Sequence, residues 1–119
     1  MTLNANTVAR YIADNSGTGA FLLKDTGSGE FIHTWSVNIA QPTSGQLATI
    51  ATTLADEKAA AIERAWRDSE LLSSDFTQLA DADLTAGEVT DWATYRQELR
   101  DLPTLTGFPN THTRPTAPA

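Results

Sequence analysis

The chain has 119 residues, room for one small domain, and its 40% hydrophobic and 19% charged content is that of a globular protein and not of a disordered one. Fifteen acidic residues against eight basic ones leave a net charge of −7 and a pI near 4.5, which disfavours a nucleic-acid backbone or an anionic membrane as the main partner. The lack of Cys excludes a disulfide framework, a thiolate nucleophile and a Cys-based metal site. No apolar run approaches the roughly 20 residues that a membrane helix needs, and Met1-Thr2-Leu3-Asn4 lacks the basic start of a signal peptide. The expectation is a soluble acidic protein kept in a cytoplasm.

Residues 1–40 read as a small antiparallel β-meander of two or three strands. Thr7 to Ala13, Ala20 to Lys24 and Phe31 to Val37 are the candidate strands, separated by the turn clusters Asn15-Ser16-Gly17-Thr18-Gly19 and Asp25-Thr26-Gly27-Ser28-Gly29. In the last strand Phe31, His33, Trp35 and Val37 alternate with Ile32, Thr34 and Ser36, so the first set is expected on one apolar face. A sheet this small is marginal alone in water and needs a helix or a partner chain on that face.

After Gln41-Pro42-Thr43-Ser44-Gly45 the period changes. Leu47, Ile50, Ala51, Leu54, Ala61, Ile62, Ala65, Trp66, Ser69 and Leu72 follow helical spacing, from either Ser44 or the Thr52-Thr53 step to about Ser73-Ser74-Asp75. A polar connection follows. Thr85-Ala86-Gly87-Glu88 then has capping-box form, and Val89, Trp92, Ala93, Arg96 and Leu99 predict a second helix ending near Asp101-Leu102, before Pro103. The short connection predicts that residues 41–102 form an antiparallel helical hairpin. Residues 103–119 hold four of the five prolines and are predicted to form an extended tail. The fold class is therefore α+β.

Little here suggests chemistry. His33 and His112 are the only histidines, and no spacing gives either the convergent partners of a triad or a zinc site. Asp81-Ala82-Asp83-Leu84-Thr85 starts like a calcium loop, but Ala86 stands where that loop needs Gly and Trp92 where it needs a bidentate Glu. No cofactor, metal or catalytic residue is expected. Trp66 and Trp92 lie on the apolar stripes of their helices and are expected in the core. Tyr95 and Arg96, with Leu99 and Leu102 on the next turn, form the best candidate for a partner-facing patch. Six of the eight basic residues are Arg, and the acids lie among them. Asp75 or Asp68 is expected to accept from Arg96 or Arg100 across the hairpin, because a planar guanidinium suits a carboxylate.

The letters of the hairpin carry a resemblance. Trp66-Arg67-Asp68 with Leu72, Ser74-Asp75-Phe76 and Gln78-Leu79, then Trp92-Ala93-Thr94-Tyr95-Arg96-Gln97-Glu98-Leu99-Arg100, then Gly107-Phe108-Pro109, resemble the phage tail assembly chaperone family over roughly residues 60–109, about two fifths of the chain. The family usually has Trp where this chain has Phe76, and its closing tail tends to carry a Trp-Pro pair where this chain has Thr113-Arg114-Pro115. The resemblance implies assembly help in place of catalysis. The client would be a tail-fibre or other tail protein, with a trimeric fibre as the natural case, and the setting the host cytoplasm during assembly.

On that view Trp66, Arg67, Asp68, Leu72, Asp75, Leu79, Trp92, Leu99 and Arg100 are the structural motif. The candidate partner contacts are Phe31 and Trp35 on the meander, where a fibre strand could be added, with Phe76, Tyr95, Arg96, Leu102 and Phe108. The alternative is a minor virion structural protein, an adaptor or cap that stays on the fibre or baseplate.

Overall fold

The computed structural model describes residues 3–119. Its elements are α1 (Ala5–Asp14), β1 (Phe21–Asp25), β2 (Glu30–Trp35), α2 (Ser44–Ser74), a 3-10 turn (Asp75–Gln78), α3 (Ala86–Asp101) and a second 3-10 turn (Leu102–Thr104). The described residues are thus α+β, with three α-helices and one two-stranded antiparallel sheet. Its backbone contacts divide it into two compact units, one through Ala55 and one from Asp56 onward, with the boundary inside α2. Among the described residues no helix is long and apolar enough to cross a membrane.

The first unit corrects the expected meander. Thr7 to Ala13 belongs to helix α1, not to a strand. Its β-branched residues favour a strand, but Asn4 and Thr7 form a reciprocal capping box, and Thr7, Val8 and Tyr11 are buried at helical spacing. Tertiary burial of that stripe outweighs strand propensity. The Tyr11 hydroxyl donates to the Ala40 carbonyl at 3.0 Å, which ties α1 to the segment that precedes α2. Val37 and Leu47 complete the buried apolar set.

Strands β1 and β2 form where the turn clusters place them. Gly27 and Gly29 have positive φ in the hairpin loop, and Asp25 Oδ1 accepts from both of their amides. Gly19 (φ 133°) is required for a different reason, since a Cβ there would overlap the Ser36 carbonyl oxygen. The expected alternation in β2 is overturned. Leu22 pairs with Thr34 but Leu23 pairs with Ile32, so His33 is an extra residue in the ladder. This bulge reverses the parity of the strand. Ile32 and Trp35 are half-buried together with Phe21 and Leu23, while Phe31 and His33 are exposed. Phe31 and Trp35 therefore do not share a face.

Helix α2 begins at Ser44, not at the Thr52-Thr53 step. Thr43 and Gln46 cap it reciprocally, with Gln46 N–H donating to Thr43 Oγ1 at 3.1 Å and Thr43 N–H to Gln46 Oε1 at 2.8 Å. Thr49, Thr52 and Thr53 lie inside the helix and donate their hydroxyls to carbonyls four residues back.

The second unit holds the other half of α2, both 3-10 turns and α3. Thr85 and Glu88 cap α3 as expected, at 3.1 and 2.9 Å. The core is Tyr95, Leu99, Leu102 and Thr77, not the tryptophans, because Trp66 and Trp92 are only half-buried. The closest backbone neighbours of α3 are the two 3-10 turns. Two residues expected on the α2 stripe, Ile62 and Leu72, are exposed, Leu72 by 74%. Where proline content predicts an extended chain from Pro103, residues 102–111 instead wind through the 3-10 turn and further turns. One of these turns is centred on Gly107 (φ 86°), whose carbonyl accepts from the Asn110 and Thr111 amides. Residues 112–119 carry no regular element.

Candidate functional site

The second unit is organised around two polar clusters. The first closes the end of α2. The last carbonyls of a helix have no partner within it, and a cation is favoured there. Arg96 projects from α3 to supply both needs. Its Nη1 donates to the Leu71 carbonyl at 2.7 Å and to Ser74 Oγ at 2.8 Å, and its Nη2 donates to Asp75 Oδ1 at 2.7 Å. Tyr95 donates its hydroxyl to Glu70 Oε1 at 2.7 Å. Thr77 Oγ1 donates to the Ser74 carbonyl at 2.6 Å. Burial, then the bond to Glu70, pushes the Tyr95 phenol from 10.0 up to about 12. Of the four pairings open across this junction, Arg96 with Asp75 is the one formed. Asp68 instead pairs with its neighbour Arg67, and Arg100 reaches Gln97.

The second cluster pins the C-terminal segment to α2. Arg114 donates to both oxygens of Glu63, with Nη2 at 2.5 Å from Oε2, and its guanidinium lies 4.4 Å from the Trp66 ring centre. His112 Nε2 lies 2.6 Å from Glu63 Oε1, and the His112 ring is 5.3 Å from that of Phe108. Arg64 lies over Phe108, and Asn110 donates to Asp56 Oδ1 at 2.8 Å. Asp56, Glu63 and Trp66 recur at a spacing that places them on one face of α2. Hydrogen bonds from Arg114 hold the Glu63 carboxyl below its ordinary range; burial opposes this and His112 adds to it.

Beside these clusters lies a groove of about 590 Å³. Phe76, Trp92 and Tyr95 supply its aromatic lining, with the Trp92 and Tyr95 rings edge to face at 5.8 Å. Glu88, Asp91 and Glu98 line it along α3, and Thr116 and Pro118 of the C-terminal segment form the facing part.

Of the candidate partner residues, Tyr95, Arg96 and Leu102 are buried and hold the unit together, and Tyr95 also lines the groove. Phe108 is half-buried under Arg64 and against His112. Phe76 and Phe31 are exposed. Trp35 is half-buried, and its Nε1 donates to the Ile39 carbonyl at 2.7 Å. Within the motif, Leu99 is buried, Trp66, Arg67 and Trp92 are half-buried, and Asp68, Leu72, Asp75, Leu79 and Arg100 are exposed. Glu63, His112 and Arg114 were not legible as a group, since their contact spans some fifty residues of chain and has no local signature.

The chain is a small α+β protein whose two polar clusters join its own elements and whose Phe31 and Phe76 rings stand exposed. Residues 60–119 match the family described as phage tail assembly chaperone protein, and the chain belongs to that family. The match covers half of the chain, takes in Arg114 and the C-terminal residues, and falls within the second compact unit. No curated protein and no solved structure matches the chain.

Proposed function

We propose that this protein binds tail-fibre segments in the host cytoplasm and shields them while the fibre chains fold and trimerise. Unassembled fibre chains expose strand edges and apolar surface that aggregate unless covered. The observation that carries the reading is the hairpin outside the family match. Among the described residues it is a sheet of two strands, so each strand has an unpaired edge, and Leu22 and Phe31 are exposed on one face of it. A fibre strand can add to such an edge through main-chain hydrogen bonds, with these side chains covering its apolar residues.

The test is co-expression of the phage's own fibre protein with and without this chain, reading the yield of soluble trimer by size-exclusion chromatography. A rise in trimer yield that Leu22→Lys with Phe31→Lys abolishes supports the reading, and an unchanged yield overturns it. Mass spectrometry of purified particles separates a released chaperone, abundant in the lysate and near absent from particles, from a virion component present at a fixed ratio to the fibre.

A further inference from the structure

We infer that the groove formed by α3, the Asp75–Gln78 turn and the C-terminal segment is a docking site for a partner segment that carries Lys or Arg next to an apolar residue. The inference rests on the reading that the chain binds tail proteins, and it names the chemistry of the segment bound at a surface separate from the β-hairpin.

Three observations converge. The groove is lined by aromatic side chains, and at its rim Phe76 is 55% exposed although large and apolar. Its charged lining is of one sign: Glu88, Asp91 and Glu98 are acidic, and none of the described residues that line it is basic. Glu88 already accepts from the Thr85 amide in the α3 cap, but Asp91 and Glu98 have no hydrogen-bond or ion-pair partner among the described residues. Carboxylates held beside aromatic rings favour a cation, which the ring faces attract as well. The volume, about 590 Å³, accommodates one long side chain and its neighbours, not a folded domain.

The C-terminal wall makes this a built site and not a chance hollow. Thr116 and Pro118 are positioned just beyond Arg114, which is fastened to Glu63 and stacked on Trp66. A second copy of this chain is a poor occupant, because two molecules of net charge −7 repel.

The experiment uses the full chain and peptides of about 15 residues that tile the phage's fibre protein, the length of an extended recognition segment. Binding is read by chemical-shift perturbation and by titration at two salt concentrations. Two variants of equal charge change are compared: Asp91→Lys with Glu98→Lys in the groove, and Asp81→Lys with Asp83→Lys in the loop before α3. The expected result is that binding peptides contain Lys or Arg, perturb Trp92 and Phe76, weaken as salt rises, and lose about tenfold or more in affinity with the groove variant only.

Equal losses in both variants, or binders without a basic residue, overturn the groove while leaving client binding intact. A dimer of this chain that the groove variant dissociates also overturns it, as does a peptide footprint confined to Leu22 and Phe31. If the chain binds neither the intact fibre protein nor any of its peptides, the client reading itself falls and the groove falls with it.

Discussion

Arg96 reaches from the third turn of α3 to Asp75, 2.7 Å away, and on the way caps the Leu71 carbonyl at the end of α2. The two partners are unequal. The Arg96 side chain is 10% exposed and that of Asp75 is 59% exposed. Arg96 is therefore expected to contribute more through its bonds to the Leu71 carbonyl and the buried Ser74 hydroxyl than through the solvent-screened ion pair.

Urea denaturation should separate these parts. Arg96→Ala removes a donor from the half-buried Leu71 carbonyl and from the buried Ser74 hydroxyl, and is expected to destabilise by about 2–4 kcal/mol. Asp75→Ala should cost about 1 kcal/mol or less, as exposed pairs do. Arg96→Lys should recover little, since one ammonium on a flexible stem cannot span all three acceptors. Equal costs for Arg96→Ala and Asp75→Ala would place the stabilisation in the ion pair instead.

Packing is tested by a contrast between Leu99 and Trp92. Leu99 is fully buried, so Leu99→Ala is expected to cost about 2–5 kcal/mol, the range for emptying a packed core site. Trp92 is half-buried at the groove, and Trp92→Ala should cost less than Leu99→Ala despite removing a larger side chain. Chemical denaturation of the two variants decides the order, and a reversed order would put Trp92 back at the centre of the core.

Acid should loosen the C-terminal segment through Glu63. Its folded carboxyl titrates below its ordinary 4.5, first because Arg114 donates to it. The sign follows from linkage: the contribution is present above pH 4.5 and is lost as pH falls through the lowered folded value. The melting-temperature gap between the native chain and Glu63→Gln should therefore be widest near neutral pH and narrow as pH drops below 4.5. A gap that does not change with pH would assign Glu63 a purely steric role.

Base should act on Tyr95. Its folded phenol is held near pH 12 against 10.0 by burial and by Glu70, so the protonated form is the one the fold favours. Stability from this group is full below pH 10 and is lost as pH rises through about 12. In a Tyr11→Phe background, absorbance at 295 nm should show a single tyrosine titrating near that value. Tyr95→Phe should cost about 1 kcal/mol, a typical net hydrogen bond, and remove the alkaline loss.

Features written into a few neighbouring residues were readable from the letters alone. The Thr85–Glu88 cap, the end of α3 before Pro103 and the glycine turn after Asp25 are of this kind, because each depends on groups within about four residues of one another. The Arg96–Asp75 pairing was also within reach, since an Arg on the second helix and an acid at the end of the first are natural partners across a short connection.

Other features depended on which surfaces meet. Thr7 to Ala13 carries β-branched residues, and burial of Thr7, Val8 and Tyr11 on one stripe makes it a helix. One extra residue at His33 separates Phe31 from Trp35, although nothing in the alternating letters marks where a ladder slips. In a 31-residue helix with apolar residues on several faces, periodicity cannot say that Glu63 is enclosed and Leu72 left in water. That choice is made by the C-terminal segment, whose Arg114 and His112 return across some fifty residues to close on Glu63. The charge and aromatic content of the groove were present in the composition, but only the packing of the Asp75–Gln78 turn, α3 and residues 116–119 brings them to one place.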